Sequence, residues 1–294
     1  MVCFALPGFE TLLPAELGEL GRLVVERFAN RELSLGIEAE VSGKPCVLLG
    51  SVAPPDEQML ALALAADTLK RQGAARVIAL LPYLAYARQD KEEPGKGLGI
   101  AWTGEILRAS GVDELITIDI HSRRAAKLLE LPVTSLSPAE LFAAQLKRSG
   151  LLDATIVAPD EGAIERSHAV AEAAGVAKPI VYLRKERTAT GVVHRELVGE
   201  VGRRAVVIDD ILDTGGTLVS CCQELGRRGA EETVVMVTHG LFTGERWRAL
   251  LSLVAGLHVT DSVPSLAVRP PEGVRVLSVR PLIEQALAAA AHTP

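Results

Sequence analysis

The sequence predicts an α/β protein made of two mainly parallel sheets flanked by helices, and three observations carry that expectation. Short runs rich in Val, Ile and Leu recur along the 294 residues without strict polar alternation, as strands covered on both faces require. Amphipathic stretches of helical period separate many of them, and such alternation implies βαβ units with right-handed crossovers. Apolar residues make up 48% of the chain, enough to fill cores of this kind, and the length allows two domains of ordinary size.

Taken in order, "VCFALP" opens the chain as a buried strand, and "PCVLLGSV" is the next continuous apolar run. The segment between, "RELSLGIEAEVSGKPCVLL", alternates and reads as a hairpin turning through Ser42-Gly43. A helix over 56–72 leads to the strand "ARVIALLPY", and a helix over 103–110 leads to "ELITIDI". The stretch "ELPVTSLSP", 130–138, breaks helical periodicity and separates two similar patterns, so the domains divide near Ser137: 1–137 and 138–279. The second half repeats the alternation, with helices over 138–149, 163–174 and 217–228 and strands "ATIVAPD", "PIVYLRK", "RAVVIDDI" and "ETVVMVTHG". A last helix, 282–291, follows the strand-like "VRVLSV" and by pattern could join either half.

Composition excludes several function classes. Aromatic residues are 3% of the chain, too few for a base-stacking platform, and the net charge of −6 opposes a nucleic-acid or membrane-surface binder. Cys3, Cys46, Cys221 and Cys222 fit no zinc spacing and read as small buried apolar side chains in a reducing compartment. The opening "MVCFALPGFE" has no basic leader, and its apolar run is short for a signal peptide. The most apolar helix, around "MLALALAADTLK", falls short of a membrane span. A soluble, cytoplasmic protein is expected.

The chemistry starts at "VVIDDILDTGGTL". A β-branched run ends in Asp209, Asp210 and Asp213, expected just beyond the strand, and Thr214, Gly215, Gly216 and Thr217 then enter a helix. Glycines let the backbone approach an anion, and the N–H groups of a helix N-terminus supply the positive end. Ionised acids only accept hydrogen bonds, so they suit vicinal hydroxyls or a cation. Acids and turn together match a ribose 5-phosphate unit, diol at one edge and phosphate at the other. The spacing is neither a Walker A loop nor a dinucleotide fingerprint.

This stretch resembles the phosphoribosyl-pyrophosphate (PRPP) binding motif shared by type I phosphoribosyltransferases and PRPP synthases, and the motif alone does not separate the two. Further segments resemble PRPP synthases, the ribose-phosphate pyrophosphokinase family. In "PYLAYARQDK", Arg88, Gln89 and Asp90 follow a strand end; by themselves they read as a solvated turn, and the resemblance implies that they bind ATP. In "TIDIHS", Asp119 and His121 stand two apart on an expected strand and hence on one face. The resemblance makes His121 a magnesium ligand through the ATP phosphates, with Asp119 placed to orient its ring. In "VAPDEGAIERS" it sets Asp160 near the metal and the ribose hydroxyls, whereas Arg166 packs or pairs on the following helix. The charged "YLRKERTATG" reads on its own as an exposed hairpin tip and resembles the flexible catalytic loop, with Lys185 and Arg187 stabilising the transition state. Finally "RFANRE" is similar to the family's Phe-x-Asp-Gly-Glu loop, which receives adenine from a neighbouring subunit. Phe28 and Glu32 match, while Asn30 stands in place of the aspartate and Arg31 in place of the glycine.

The resemblance spans nearly the whole chain, through "VTHGLFTG", "VTDSVP" and "PLIEQAL". It implies two type I phosphoribosyltransferase-like domains, the first completed by 280–294, and a homo-oligomer, a dimer or multiple of dimers. The implied reaction is Mg2+-ATP plus ribose 5-phosphate giving PRPP and AMP, with no role for nucleic acid or membrane. After "RQDK" the family's basic segment, tied to phosphate and ADP control, is replaced by "EEPGKGLGIAW", which implies weak or absent control of that kind. Two alternatives share the PRPP motif: a PRPP-consuming phosphoribosyltransferase, which would not need the Arg88 segment, and a non-catalytic synthase-associated protein.

Overall fold

The computed structural model describes residues 1–13, 19–187, 193–263 and 269–291, with the backbone alone at 185–187, 193–195 and 291. The chain forms two compact units, Met1–Leu136 with Val279–Pro294, and Ser137–Ser278. Each holds a mainly parallel sheet with helices packed on it.

The first unit's sheet has the order β2-β1-β5-β6-β7-β8. Its strands are β1 (Val2–Ala5), β2 (Glu19–Leu20), β5 (Pro45–Leu49), β6 (Arg76–Leu81), β7 (Glu114–Ile118) and β8 (Val133–Leu136), and every pair is parallel. Continuous apolar runs take the centre, where both faces are covered: Cys46, Val47, Leu48 and Leu49 are all fully buried. Helix α1 (Glu57–Arg71) buries Leu62, Ala65, Ala66 and Leu69, a stripe at helical spacing. Helix α2 (Gly99–Ala109) begins four residues earlier than its periodicity suggests, and α3 (Arg123–Leu128) follows β7.

Two expectations are corrected here. The hairpin does not turn at Ser42-Gly43: β3 (Arg22–Arg27) pairs antiparallel with β4 (Leu33–Glu38), so the turn is 28–32. The reason is burial. β4 is half-buried and needs a partner exposed on one face, whereas β5 is buried on both faces and belongs inside the sheet. Ser42 instead makes an isolated bridge to Ala74. Within "ELPVTSLSP", Val133–Leu136 forms the edge strand β8, and the division between the two compact units falls between Leu136 and Ser137. Finally, β7 ends at Ile118 and Asp119 takes φ 45°, so Asp119 and His121 do not share a strand face.

The second unit's sheet has the order β11-β10-β9-β12-β13-β14-β15. The strands are β9 (Thr155–Ala158), β10 (Val181–Arg187), β11 (Val193–Val198), β12 (Arg204–Leu212), β13 (Glu232–Gly240), β14 (Gly256–Thr260) and β15 (Val274–Leu277). Among the described residues of this sheet β10 and β11 pair antiparallel and the other pairs are parallel. Its two faces have separate cores. Val206 and Ile208 pack with residues of α4 (Ala139–Arg148) and α5 (Ile164–Ala174), while Val207 packs with residues of α6 (Gly216–Arg227). One expectation shifts: β12 runs through Leu212, so Asp209 and Asp210 lie inside the strand, held in ladder with β13.

No helix of the described residues is long and apolar enough to cross a membrane. None of the four cysteines is in a disulfide, and all are buried. Burial pushes the Cys46 thiol up to about 11 and the Cys222 thiol up to about 12, so neither is a nucleophile near neutral pH.

Candidate functional site

In the second unit, β12 carries two adjacent acids into an interior that is otherwise aliphatic. Asp209 and Asp210 are 8% and 6% exposed. The Asp210 backbone N–H donates to Asp209 Oδ1 at 3.0 Å. Burial first, and then the charge of Asp210, push the Asp209 carboxyl well above the usual carboxylate range, while Arg166 acts against the shift. Arg166 Nη2 lies 3.5 Å from Asp210 Oδ2, with Asp210 buried and Arg166 only slightly exposed. Asp160, beyond the end of the neighbouring β9, accepts from the Gly162 N–H at 3.0 Å and is near enough to Asp209 to raise it further.

The chain leaves β12 at Leu212, passes Asp213 and Thr214, and enters α6 at Gly216. Gly215 is the N-cap, with φ 81° and no side chain to cap the helix. The conformation and the space both require glycine, since a Cβ there would sit 2.6 Å from Trp247 Cα. The turn thus presents the start of a twelve-residue helix, the positive end of its dipole. Arg246 brings a second positive charge: a Cβ on Gly216 would be 3.2 Å from its Nη1, so the guanidinium lies against the turn. Arg166 and Arg246 were not singled out as site residues by the motifs. Strand parity in β12 could have found the first; nothing local marks the second.

Lys185 and Arg187 stand in β10, their backbones opposite Arg195 and Val193 of β11. Their side chains lie outside the described residues, as does the segment 188–192.

In the first unit, the segment after β6 folds into a turn in which Tyr86 has φ 65°. The Tyr86 hydroxyl donates to Asp56 Oδ1 at 3.3 Å, and its ring meets Trp102 edge-on at 5.8 Å. Arg88 and Gln89 are exposed, and Gln89 lies over Gly99, where a Cβ would come 2.5 Å from its Oε1. Asp90 is buried and accepts from Ser122 Oγ at 2.6 Å. Ser122 also caps α3, accepting from the Ala125 N–H at 2.9 Å. That bond ties the Arg88–Gln89 turn to the residue after His121, so two separate sequence segments meet.

The 28–32 turn stands at the tip of the β3–β4 hairpin. Phe28 is 59% exposed, and Asn30 and Glu32 are exposed too. Asn30 Oδ1 accepts from the Glu32 N–H at 3.1 Å, and Arg31 takes φ 72°. Arg27 fastens the turn, donating to the Arg31 carbonyl at 2.7 Å and pairing with Glu57 of α1 at 3.2 Å.

Among the described residues no three His, Cys, Asp or Glu side chains converge into a metal cage. Magnesium usually keeps waters and takes one or two protein ligands beside substrate phosphates. The carboxylate of Asp160, which lies near Asp209, is an oxygen donor of the kind such an ion takes.

Comparison with known proteins follows the same division. Residues 14–111 match the family described as the N-terminal domain of ribose phosphate pyrophosphokinase, and residues 139–248 match the phosphoribosyl transferase domain. A ribose-phosphate pyrophosphokinase of Rhizobium meliloti (strain 1021) is 30% identical over 274 residues, covering 91% of this chain and 88% of that protein. One from Maricaulis maris (strain MCS10) is 33% identical over 270 residues, covering 90% and 86%. The crystal structure of phosphoribosylpyrophosphate synthetase from Mycobacterium smegmatis superposes with a TM-score of 0.87 at 25% identity, covering 99% of this chain and 98% of that one.

Proposed function

This chain belongs to the ribose-phosphate pyrophosphokinase family, and from that premise we propose how its residues make phosphoribosyl pyrophosphate. It is an enzyme of PRPP synthesis: the β,γ-diphosphoryl group of Mg-ATP passes to the 1-hydroxyl of ribose 5-phosphate, giving PRPP and AMP. One observation carries this reading against a PRPP-consuming transferase. The likeness runs over the whole chain and includes the first unit, for which a transferase of the second kind has no use.

The sugar phosphate is assigned to the second unit. Thr214, Gly215, Gly216 and Thr217 receive the 5-phosphate at the start of α6, with Arg246 adding charge from the side. Asp209, Asp210 and Asp213 stand toward the ribose hydroxyls. The nucleotide is assigned to Arg88, Gln89 and Asp90, of which Asp90 acts by anchoring the turn through Ser122. Phe28, Asn30 and Glu32 are assigned to the adenine of a neighbouring subunit, which makes the working form a homo-oligomer, a dimer or a multiple of dimers. The magnesium that travels with ATP neutralises phosphate oxygens, and His121 and Asp160 are the residues assigned to it.

In the reaction the anomeric oxygen attacks the β-phosphorus, the bond from that phosphorus to the α,β-bridging oxygen breaks, and AMP leaves in line. The hydroxyl proton is lost to solvent. Lys185 and Arg187 are assigned to the charge that gathers on the equatorial oxygens, where one cation can be worth about a thousandfold or more. No covalent protein nucleophile is needed.

The test is the purified protein with ATP, magnesium and ribose 5-phosphate, following AMP and PRPP. Equal formation of the two is expected, and the double variant Lys185→Ala, Arg187→Ala should lose turnover while still binding ribose 5-phosphate. A non-catalytic protein would form neither product, and a double variant with wild-type turnover would remove both cations from the mechanism.

A further inference from the structure

Arg166 and Asp210 meet for a reason set by the fold. Along β12 side chains alternate, and Val206 and Ile208 face the core of α4 and α5 while Val207 faces that of α6. Continuing the alternation puts Asp209 with Val207 and Asp210 with Ile208, on the side of α5. Arg166 stands in the first turn of α5, in the helix that follows Asp160, and its Nη2 lies 3.5 Å from Asp210 Oδ2. The two side chains are 13% and 8% exposed, so the pair is held by surrounding protein and only weakly screened. Asp209 has a different attachment, its Oδ1 accepting the Asp210 N–H.

We propose that Arg166 is a positioning residue for the diphosphoryl acceptor: it fixes the Asp210 carboxylate as an oriented acceptor for the ribose hydroxyls, while the Asp209 carboxylate is held by the Asp210 N–H. The proposal rests on the assignment of ribose 5-phosphate to the end of β12. A carboxylate can hold a diol in an attacking geometry only if its own rotation is stopped, and misplacement near an ångström is costly. A buried guanidinium contact stops it. Without Arg166, a buried carboxylate is left without that countercharge and reorients toward other donors.

The experiment compares wild type with Arg166→Gln and Arg166→Lys, full-length, in the AMP and PRPP assay. Arg166→Gln should lower kcat/KM for ribose 5-phosphate about ten- to a hundredfold, with the KM for Mg-ATP changed by no more than about threefold. Arg166→Lys, which keeps the charge, should recover part of the loss, and decides the matter if the glutamine variant fails to fold. In the Arg166→Gln background, Asp210→Asn should add little, because the acceptor is already misplaced. A folded Arg166→Gln with an unchanged kcat/KM for ribose 5-phosphate overturns the proposal, as does an equal rise in both KM values, the mark of general loosening. If the wild type binds ribose 5-phosphate but forms no AMP, the reaction assignment falls instead. The calorimetric Kd of the variants for ribose 5-phosphate then decides the role of Arg166.

Discussion

Replacing Gly215 by alanine should damage this protein where replacing Gly216 does not, although the two are adjacent and gain the same methyl group. At 215 the backbone has φ 81°, which costs an L-residue roughly 1–2 kcal/mol. The new Cβ would also sit 2.6 Å from Trp247 Cα and 2.9 Å from its Cβ. Trp247 is only 2% exposed and packs against Phe242 with ring centroids 4.7 Å apart, so it has little room to retreat. Overpacking of that kind costs about 1–3 kcal/mol. A sum of about 3 kcal/mol corresponds to a fall in Tm of roughly 6–12 °C for a domain of this size. At 216 the backbone is helical, and the methyl would meet the movable end of Arg246 at 3.2 Å. There the gain over glycine in a helix, about 0.5–1 kcal/mol, offsets the adjustment. Thermal unfolding in a Trp102→Phe background reads the second unit alone, since the chain has two tryptophans. Gly215→Ala should also raise the KM for ribose 5-phosphate about a hundredfold, because the first turn of α6 must shift. A Gly215→Ala protein melting within about 1 °C of wild type, or a Gly216→Ala protein melting lower than it, would refute the reasoning.

Other outcomes follow from the same geometry. His258 is buried on β14, its Nδ1 has no hydrogen-bond partner among the described residues, and burial, then the charge of Arg275, lowers its pKa to about 4. A histidine depressed in the folded state contributes stability that is full above its unfolded value and lost as pH falls. Between about pH 6.5 and 4 the loss should be about 2 kcal/mol after allowing for solvent screening, and a His258→Leu protein should show a flatter acid limb in denaturant melts; an unchanged limb contradicts the assignment. Arg31→Gly relieves the φ of 72° and leaves the bond from Arg27 to the residue 31 carbonyl in place. It should raise stability by about 1 kcal/mol, and a lower melting temperature would count against strain in that turn. The segment after Asp90 places Glu92 and Glu93 beside Lys96, which pairs with Glu93. The rate should therefore stay flat across millimolar phosphate, and a steep phosphate dependence would show that control has another seat.

Local pattern and tertiary partnership explain which features were legible in the sequence. Runs such as Pro45–Leu49 and Arg76–Leu81 announce themselves because a strand buried on both faces must be apolar at every position. The hairpin was misread because pairing depends on a partner, Arg22–Arg27, whose match to Leu33–Glu38 is a matter of burial and register. Asp119 was placed on a strand because nothing in its type or spacing encodes φ 45°. Acids normally end a strand, yet β12 continues to Leu212 because β13 supplies its ladder. In the candidate site, the order of acids and glycines was visible as a motif, and the structure sets it on β12 and the start of α6. The countercharges were not, since Arg166 and Arg246 arrive from other elements. The bond between Ser122 and Asp90, which joins two segments thirty-two residues apart, likewise needed three dimensions.

A structure of this protein with ribose 5-phosphate bound would decide where the sugar sits. The phosphate should lie against the backbone N–H groups of residues 214–217, within hydrogen-bond distance, with the diol turned to Asp210. Phosphate found away from residues 209–217, with no sugar on β12, would contradict it.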